Sequence, residues 1–174
     1  MYVVGIDPGI CGAAACLDCD PSYPPRDHFI TDAIDLPTMI DGGKSKLKRR
    51  QIDERALAGW LSLFWRGPRR SIRVAIENVR AMPKDGIVGA FRFGLAAGQL
   101  RSTVRLTLGI EPEFVEPTVW KAWHRLKGGD KEASRALALS MFPESKYLLS
   151  RKMDHQRAEA MLIAKWASRP IIGR

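Results

Sequence analysis

Two carboxylates, each at the end of a short apolar run, are the residues here whose type and setting could do chemistry. Asp7 follows Tyr2-Val3-Val4-Gly5-Ile6 and precedes Pro8-Gly9, and Glu77 follows Arg73-Val74-Ala75-Ile76 and precedes Asn78-Val79. β-Branched residues on both parities predict strands buried on both faces. Pro8 and Gly9 stop the first strand and leave Asp7 at its mouth. A charge in that position is costly to desolvate unless a cation pairs with it. One such acid reads equally well as a strand-end residue capping a turn. Two of them, with a third on a late helix, point to a site that holds something positive.

The third acid lies in Met153-Asp154-His155-Gln156-Arg157-Ala158-Glu159-Ala160-Met161-Leu162-Ile163-Ala164. Ala160, Ile163 and Ala164 recur at helical spacing and predict a stripe packed on the sheet. Glu159 sits just before that stripe, and His155 is one turn earlier on nearly the same face, which favours a site role for it. Asp154 is either the helix N-cap or a ligand. Asp7, Glu77 and Glu159, with Asp154 or His155 beside them, make an oxygen-rich set that suits Mg²⁺ or Mn²⁺ better than zinc. Two such ions, roughly 3.5–4 Å apart, form the clamp used for in-line phosphodiester displacement, one activating water and one stabilising the leaving oxygen. Nothing in the sequence supplies the context for a covalent nucleophile.

The elements that must position these acids follow from periodicity and punctuation. Strands are expected at 2–7, 12–17, 28–36, 72–77 and 114–116, the third ended by Pro37. Asp53 can cap a helix to about Trp65, with Leu57, Trp60, Leu61 and Phe64 as its apolar face. Further helices are expected at 88–108, ended by Gly109, at 118–126, at 131–141, and from Asp154 or His155 to about Trp166. Gly94 and Gly98, four apart in the long helix, allow a close neighbour. The order describes an α/β fold, a mixed five-stranded sheet flanked by helices, in one domain spanning 1–174.

The formal charge is +9, from 28 Lys and Arg against 19 Asp and Glu. That excess points to a polyanionic partner, most plausibly nucleic acid. Cys11, Cys16 and Cys19 are an odd, clustered set, so strand-packing thiols are expected rather than disulfides or a zinc site. No stretch is apolar for long enough to cross a membrane, and no signal peptide opens the chain, so a soluble cytoplasmic protein is expected, with an organelle or phage-infected cell as variants.

Gly5-Ile6-Asp7-Pro8-Gly9, then Ile76-Glu77-Asn78-Val79 with Met82 and Lys84, then Ala158-Glu159-Ala160-Met161-Leu162-Ile163-Ala164 resemble RuvC-type Holliday-junction resolvases. The phage and plastid branches are nearer than the main bacterial one, and the resemblance runs in order along nearly the whole chain. It implies an RNase H-like fold, a homodimer, and Mg²⁺-dependent paired nicking of branched DNA at four-way junctions. Asp7 and Glu77 match the family's first two acids and Glu159 the last. The bacterial pattern has another acid three residues earlier, where this chain has Gln156, a poor ligand; His155 or Asp154 is the expected substitute. DNA contacts are expected from Lys44, Lys46, Lys48, Arg49 and Arg50, from Arg80 and Lys84, and from Lys121, Lys127 and Lys131. Trp120 and Trp123 could stack on bases, though a core role for at least one is expected. The family's dimer helix corresponds to the segment around Phe91, Phe93, Gly94, Ala97 and Gly98. An RNase H or transposase-like nuclease on the same fold, or a non-catalytic branched-DNA binder, are the alternatives.

Overall fold

The computed structural model describes residues 1–19, 22, 24, 27–40, 50–65, 72–79, 86–126, 131–151 and 153–170. Among the expected DNA contacts, Lys44, Lys46, Lys48, Arg49, Arg80, Lys84 and Lys127 lie outside the described residues.

Strand β1 (Tyr2–Asp7) is buried along its whole length and sits at the centre of a five-stranded sheet. The order is β3-β2-β1-β6-β7, with β2 at Ala13–Asp18, β3 at Phe29–Asp35, β6 at Ile72–Glu77 and β7 at Glu113–Val115. β1 pairs antiparallel with β2 and parallel with β6, and β7 runs parallel to β6. The mixed five-stranded sheet is the one the sequence predicts.

The two parities of β1 serve two cores, as its continuous apolar run requires. Val3 packs with Ala75, Trp120, Phe142 and the helix α5 (His155–Ala167) on one face. Tyr2, Val4 and Ile6 pack on the other face with Leu57 and Leu61 of α1 (Glu54–Ser62) and Leu100 and Val104 of α2 (Ile87–Leu108). Gly5 belongs to the α5 face. A Cβ there would lie inside contact distance of the Ala160 carbonyl oxygen and the Ala164 nitrogen. The helix backbone therefore rests directly on the strand, and the small residues Ala160 and Ala164 complete the contact.

Several boundaries differ from expectation for local reasons. Asp53 does cap α1, accepting from Ala56 N at 3.0 Å, but the helix closes at Ser62, before Trp65. Helix α3 (Pro117–Trp123) stops short of Leu126, because Arg125 turns the chain at φ 58°. Helix α4 spans Lys131–Met141 as expected, and a 3₁₀ helix follows at Pro143–Leu149. A two-stranded ribbon, β4 (Thr38–Ile40) with β5 (Arg50–Ile52), was not foreseen; its strands are three residues each, too short to show a period.

The N-terminal half of α2 has little cover. Ile87 is 91%, Val88 58% and Phe91 70% exposed, and Cβ atoms added at Gly94 and Gly98 would meet open space. The close neighbour that this glycine pair allows is absent among the described residues.

Candidate active site

The parallel register of β1 and β6 matches Gly5 with Ala75 and Ile6 with Ile76, so Asp7 and Glu77 end adjacent strands side by side. Adjacent residues in register face the same way, and every second residue returns to the same face. Asp7 and Glu77 therefore belong to the face of Gly5 and Ala75, which α5 covers. Glu159 precedes the residue whose carbonyl touches Gly5, and so reaches the same end of the sheet.

Glu77 and Glu159 are held by different groups. Trp120 Nε1 donates to Glu77 Oε1 at 2.9 Å. Lys121 Nζ pairs with Glu159 Oε1 at 3.2 Å, and Ser134 Oγ donates to the same oxygen at 3.2 Å. Asp7 and Glu77 are only 9% and 8% exposed, a level at which an ionised carboxylate is costly to maintain. Burial pushes the Glu77 carboxyl above its ordinary range; the Trp120 donor opposes this, the Glu159 charge adds to it, and Lys121 offsets it in part. That mutual repulsion places Glu77 and Glu159 within electrostatic reach of each other.

A cavity of about 380 Å³ opens beside Asp7, lined by the 8–12 turn, by Gly89, Arg92, Phe93 and Ala96 of α2, and by Gln156 of α5. Gln156 is thus the α5 residue that shares this cavity with Asp7. His155 opens α5 half-buried and does not line it. Asp154 is occupied elsewhere. It is 1% exposed, and both of its oxygens accept from Arg151, Oδ1 from Nε at 2.8 Å and Oδ2 from the backbone N–H at 2.7 Å. Asp154 is the N-cap residue of α5, but its side chain makes no capping hydrogen bond, and its charge serves the Arg151 guanidinium.

Among the described residues, no group of three or more His, Cys, Asp or Glu side chains stands close enough to hold one ion. Glu77 and Glu159 are within electrostatic reach of each other, and the Lys121 ammonium pairs with Glu159. All three donors are hard carboxylate oxygens, and the Glu77–Glu159 repulsion calls for positive charge. By donor chemistry the set fits a hard divalent cation.

Arg50 is exposed on β5, and Lys121 is turned to Glu159. Trp120 is fully buried, so it cannot stack on bases, whereas Trp123 is 47% exposed. Sequence reasoning missed Arg92 and Ser134. Each is one polar residue on a helix, and only the packing of that helix shows which way it faces. It also missed the role of Trp120, whose indole N–H carries no spacing signal.

No family profile matches the chain. Over 96 residues, 53% of its length, the chain is 36% identical to the Holliday junction resolvase MOC1, chloroplastic, of Chlamydomonas reinhardtii. The match covers 10% of that protein, so the chain spans about a tenth of the length of this curated relative. The structure matches T. thermophilus RuvC in complex with a Holliday junction substrate at a TM-score of 0.63 and 15% sequence identity, over 95% of this chain and 92% of that one. A second Thermus thermophilus RuvC structure matches at a TM-score of 0.47 and 18% identity over the same shares. The fold is that of RuvC, the RNase H-like sheet with flanking helices.

Proposed function

We propose that this chain, as a single domain, is a structure-selective DNA endonuclease that resolves four-way junctions by paired phosphodiester hydrolysis in a homodimer. The observation that carries the reading is the trio Asp7, Glu77 and Glu159, gathered at one end of a RuvC-type sheet by strand register and a helix resting on Gly5. The curated relative, itself named a Holliday junction resolvase, supports the same substrate class.

A Mg²⁺ ion held there, with Mn²⁺ as a substitute, would supply Lewis acidity at the phosphodiester. Asp7, Glu77 and Glu159 are the residues to hold it. Arg92, in the cavity beside Asp7, offers a guanidinium to the phosphate that enters. Gln156 offers an amide there, donor and acceptor together, without adding a fourth negative charge. His155, next to it in sequence and half-buried, is proposed as a contact to DNA or to the reacting water. With an ion held by Glu159, the Lys121 ammonium that pairs with it here would be free to contact the DNA strand. The remaining cations expected from sequence, with Arg50, track the arms of the junction, so binding should weaken steeply with salt.

The exposed Ile87, Val88 and Phe91 support α2 as the seam of the dimer, which sets two mouths on one junction. Among the described residues no helix is long and apolar enough to cross a membrane. We place the protein with its DNA, in cytoplasm or organelle.

A labelled four-way junction, incubated with Mg²⁺ and wild type or Asp7→Asn, tests the reading. Paired nicks by wild type alone are expected, with a DNA–RNA hybrid and a linear duplex cut far more slowly. Junction binding without cleavage in both Mg²⁺ and Mn²⁺ would overturn the nuclease; equal activity of Asp7→Asn would overturn the site.

A further inference from the structure

Helix α3 reaches two of the three acids with two consecutive side chains. Lys121 pairs with Glu159 through an ammonium that can leave, since it is partly exposed and sits on a flexible stem. Trp120 cannot leave. It is fully buried, in the core with Val3, Ala75 and Phe142, and its single polar atom is spent on Glu77. The neighbouring residues repeat the arrangement: Asn78 Nδ2 donates to Glu116 Oε1 at 2.7 Å, and Asn78 N donates to Val115 O at 2.7 Å. The end of β6 is thus clasped to the start of α3 at Glu77 and again at Asn78. An indole N–H is a donor only, so it can hold a carboxylate oxygen but can never compete for a cation.

We infer that Trp120 is the positioning residue for Glu77: its N–H fixes Oε1 and leaves Oε2 as the oxygen offered to the ion. This rests on the metal-dependent reading above. A side chain anchored at one oxygen has already lost the rotamers that ion binding would otherwise have to freeze. The donor also offsets part of the cost of keeping that carboxylate charged in a buried place. Because the ring is locked by the core, the oxygen is held before any ion or DNA arrives. Lys121 is the movable partner and Trp120 the fixed one.

The test measures Mn²⁺ binding to the full chain by titration calorimetry and by the Mn²⁺ paramagnetic resonance signal, without DNA. Trp120→Phe removes the donor with modest loss of ring. Incorporation of β-(3-benzothienyl)alanine at position 120 keeps the bicyclic shape and replaces only the N–H by sulfur, which serves even where the Phe variant folds poorly. The expected result is Mn²⁺ affinity lower by about tenfold, typical for a group that orients a ligand, with junction affinity in EDTA unchanged for the analogue. In a Glu77→Gln background the same replacement should have no further effect on Mn²⁺. Affinity unchanged by the analogue, or lowered equally in the Glu77→Gln background, would overturn the inference alone. Absence of Mn²⁺ binding by the wild type would overturn the metal reading and the inference with it.

Discussion

Two groups of carboxylates flank the start of α5, and the protein treats them in opposite ways. Asp35 and Asp154 are saturated with guanidinium: Arg151 spans both, and Arg157 Nε donates to Asp35 at 2.7 Å. In the other group, Glu77 is given an indole N–H, and Glu159 a hydroxyl and one lysine. The first group ties the end of β3 to the loop before α5 and has no charge left over. In the second, Glu77 and Glu159 repel each other, with the Lys121 ammonium as partial compensation. A carboxylate that neutralises an arginine serves the fold. In the proposed reading, a buried carboxylate with less compensation is held for a ligand that arrives later. Sequence adjacency does not separate the two, since Asp154 and Glu159 lie five residues apart in the same motif.

The comparison breaks first at the element both groups share. Gly5→Ala places a Cβ against the backbone of α5, and neither strand nor helix can yield without moving Glu159. The expected cost is about 3 kcal/mol, at the upper end for overpacking. Gly94→Ala, where a Cβ meets open space, should instead gain up to about 1 kcal/mol from helix propensity. Denaturant unfolding of the two variants checks both. A mild Gly5→Ala would mean that α5 is free to shift, and the placement of Glu159 would lose its warrant.

Next comes the contrast between the groups themselves. Asp7→Asn is expected to lower junction cleavage by more than about 100-fold, beyond what loss of an outer partner of a ligand costs, while its melting temperature holds. Asp154→Ala should do the reverse: a loss of about 2 kcal/mol, from charge-assisted hydrogen bonds to Arg151, with Mn²⁺ affinity unchanged. If Asp154→Ala abolishes Mn²⁺ binding and spares stability, the two groups have been assigned the wrong way round.

Much of the fold was legible because it rests on period and punctuation. The two-sided burial of β1 and β6, the cap at Asp53 and the stop at Gly109 are local signals, and the structure keeps each of them. The ribbon β4–β5 was not legible, because three-residue strands have no period to read. At the site, Asp7 and Glu77 could be read because each interrupts a strand. The roles of Asp154 and Trp120 could not. Whether a carboxylate meets a guanidinium or a cavity depends on Arg151, whose approach is set by the turn before α5 rather than by spacing. Trp120 looked like core or a stacking platform, and only the packing of α3 against the end of β6 shows where its N–H points.

The smallest effect is also the one in which the groups must differ in sign. Asp35 has its carboxyl held below the ordinary value of 3.8, chiefly by the hydrogen bond from Arg157. Asp154 is also lowered, burial opposing and the Arg151 hydrogen bonds outweighing it. A depressed folded pKa contributes stability that is present above the unfolded value and lost as pH falls through the folded one. Glu77 is raised above 4.5 by burial, so its contribution has the other sign: present below the unfolded value, and lost as pH rises through the folded pKa. In metal-free buffer at pH 7, Asp35→Asn should therefore melt lower than wild type by about 1–3 °C, as for a partly exposed pair. That gap should persist to pH 4 and close only below 3.8. Glu77→Gln should melt higher than wild type at pH 7, because it removes a buried charge while its amide oxygen still accepts from Trp120. Its gap should close from the other side, shrinking as pH falls through the raised pKa toward 4.5, where wild-type Glu77 becomes neutral. Melting curves of the three proteins between pH 3 and 8 contain both crossings. Two gaps of the same sign would mean that Glu77 is as well compensated as Asp35, and the mouth of the sheet would have no charge deficit to offer a cation.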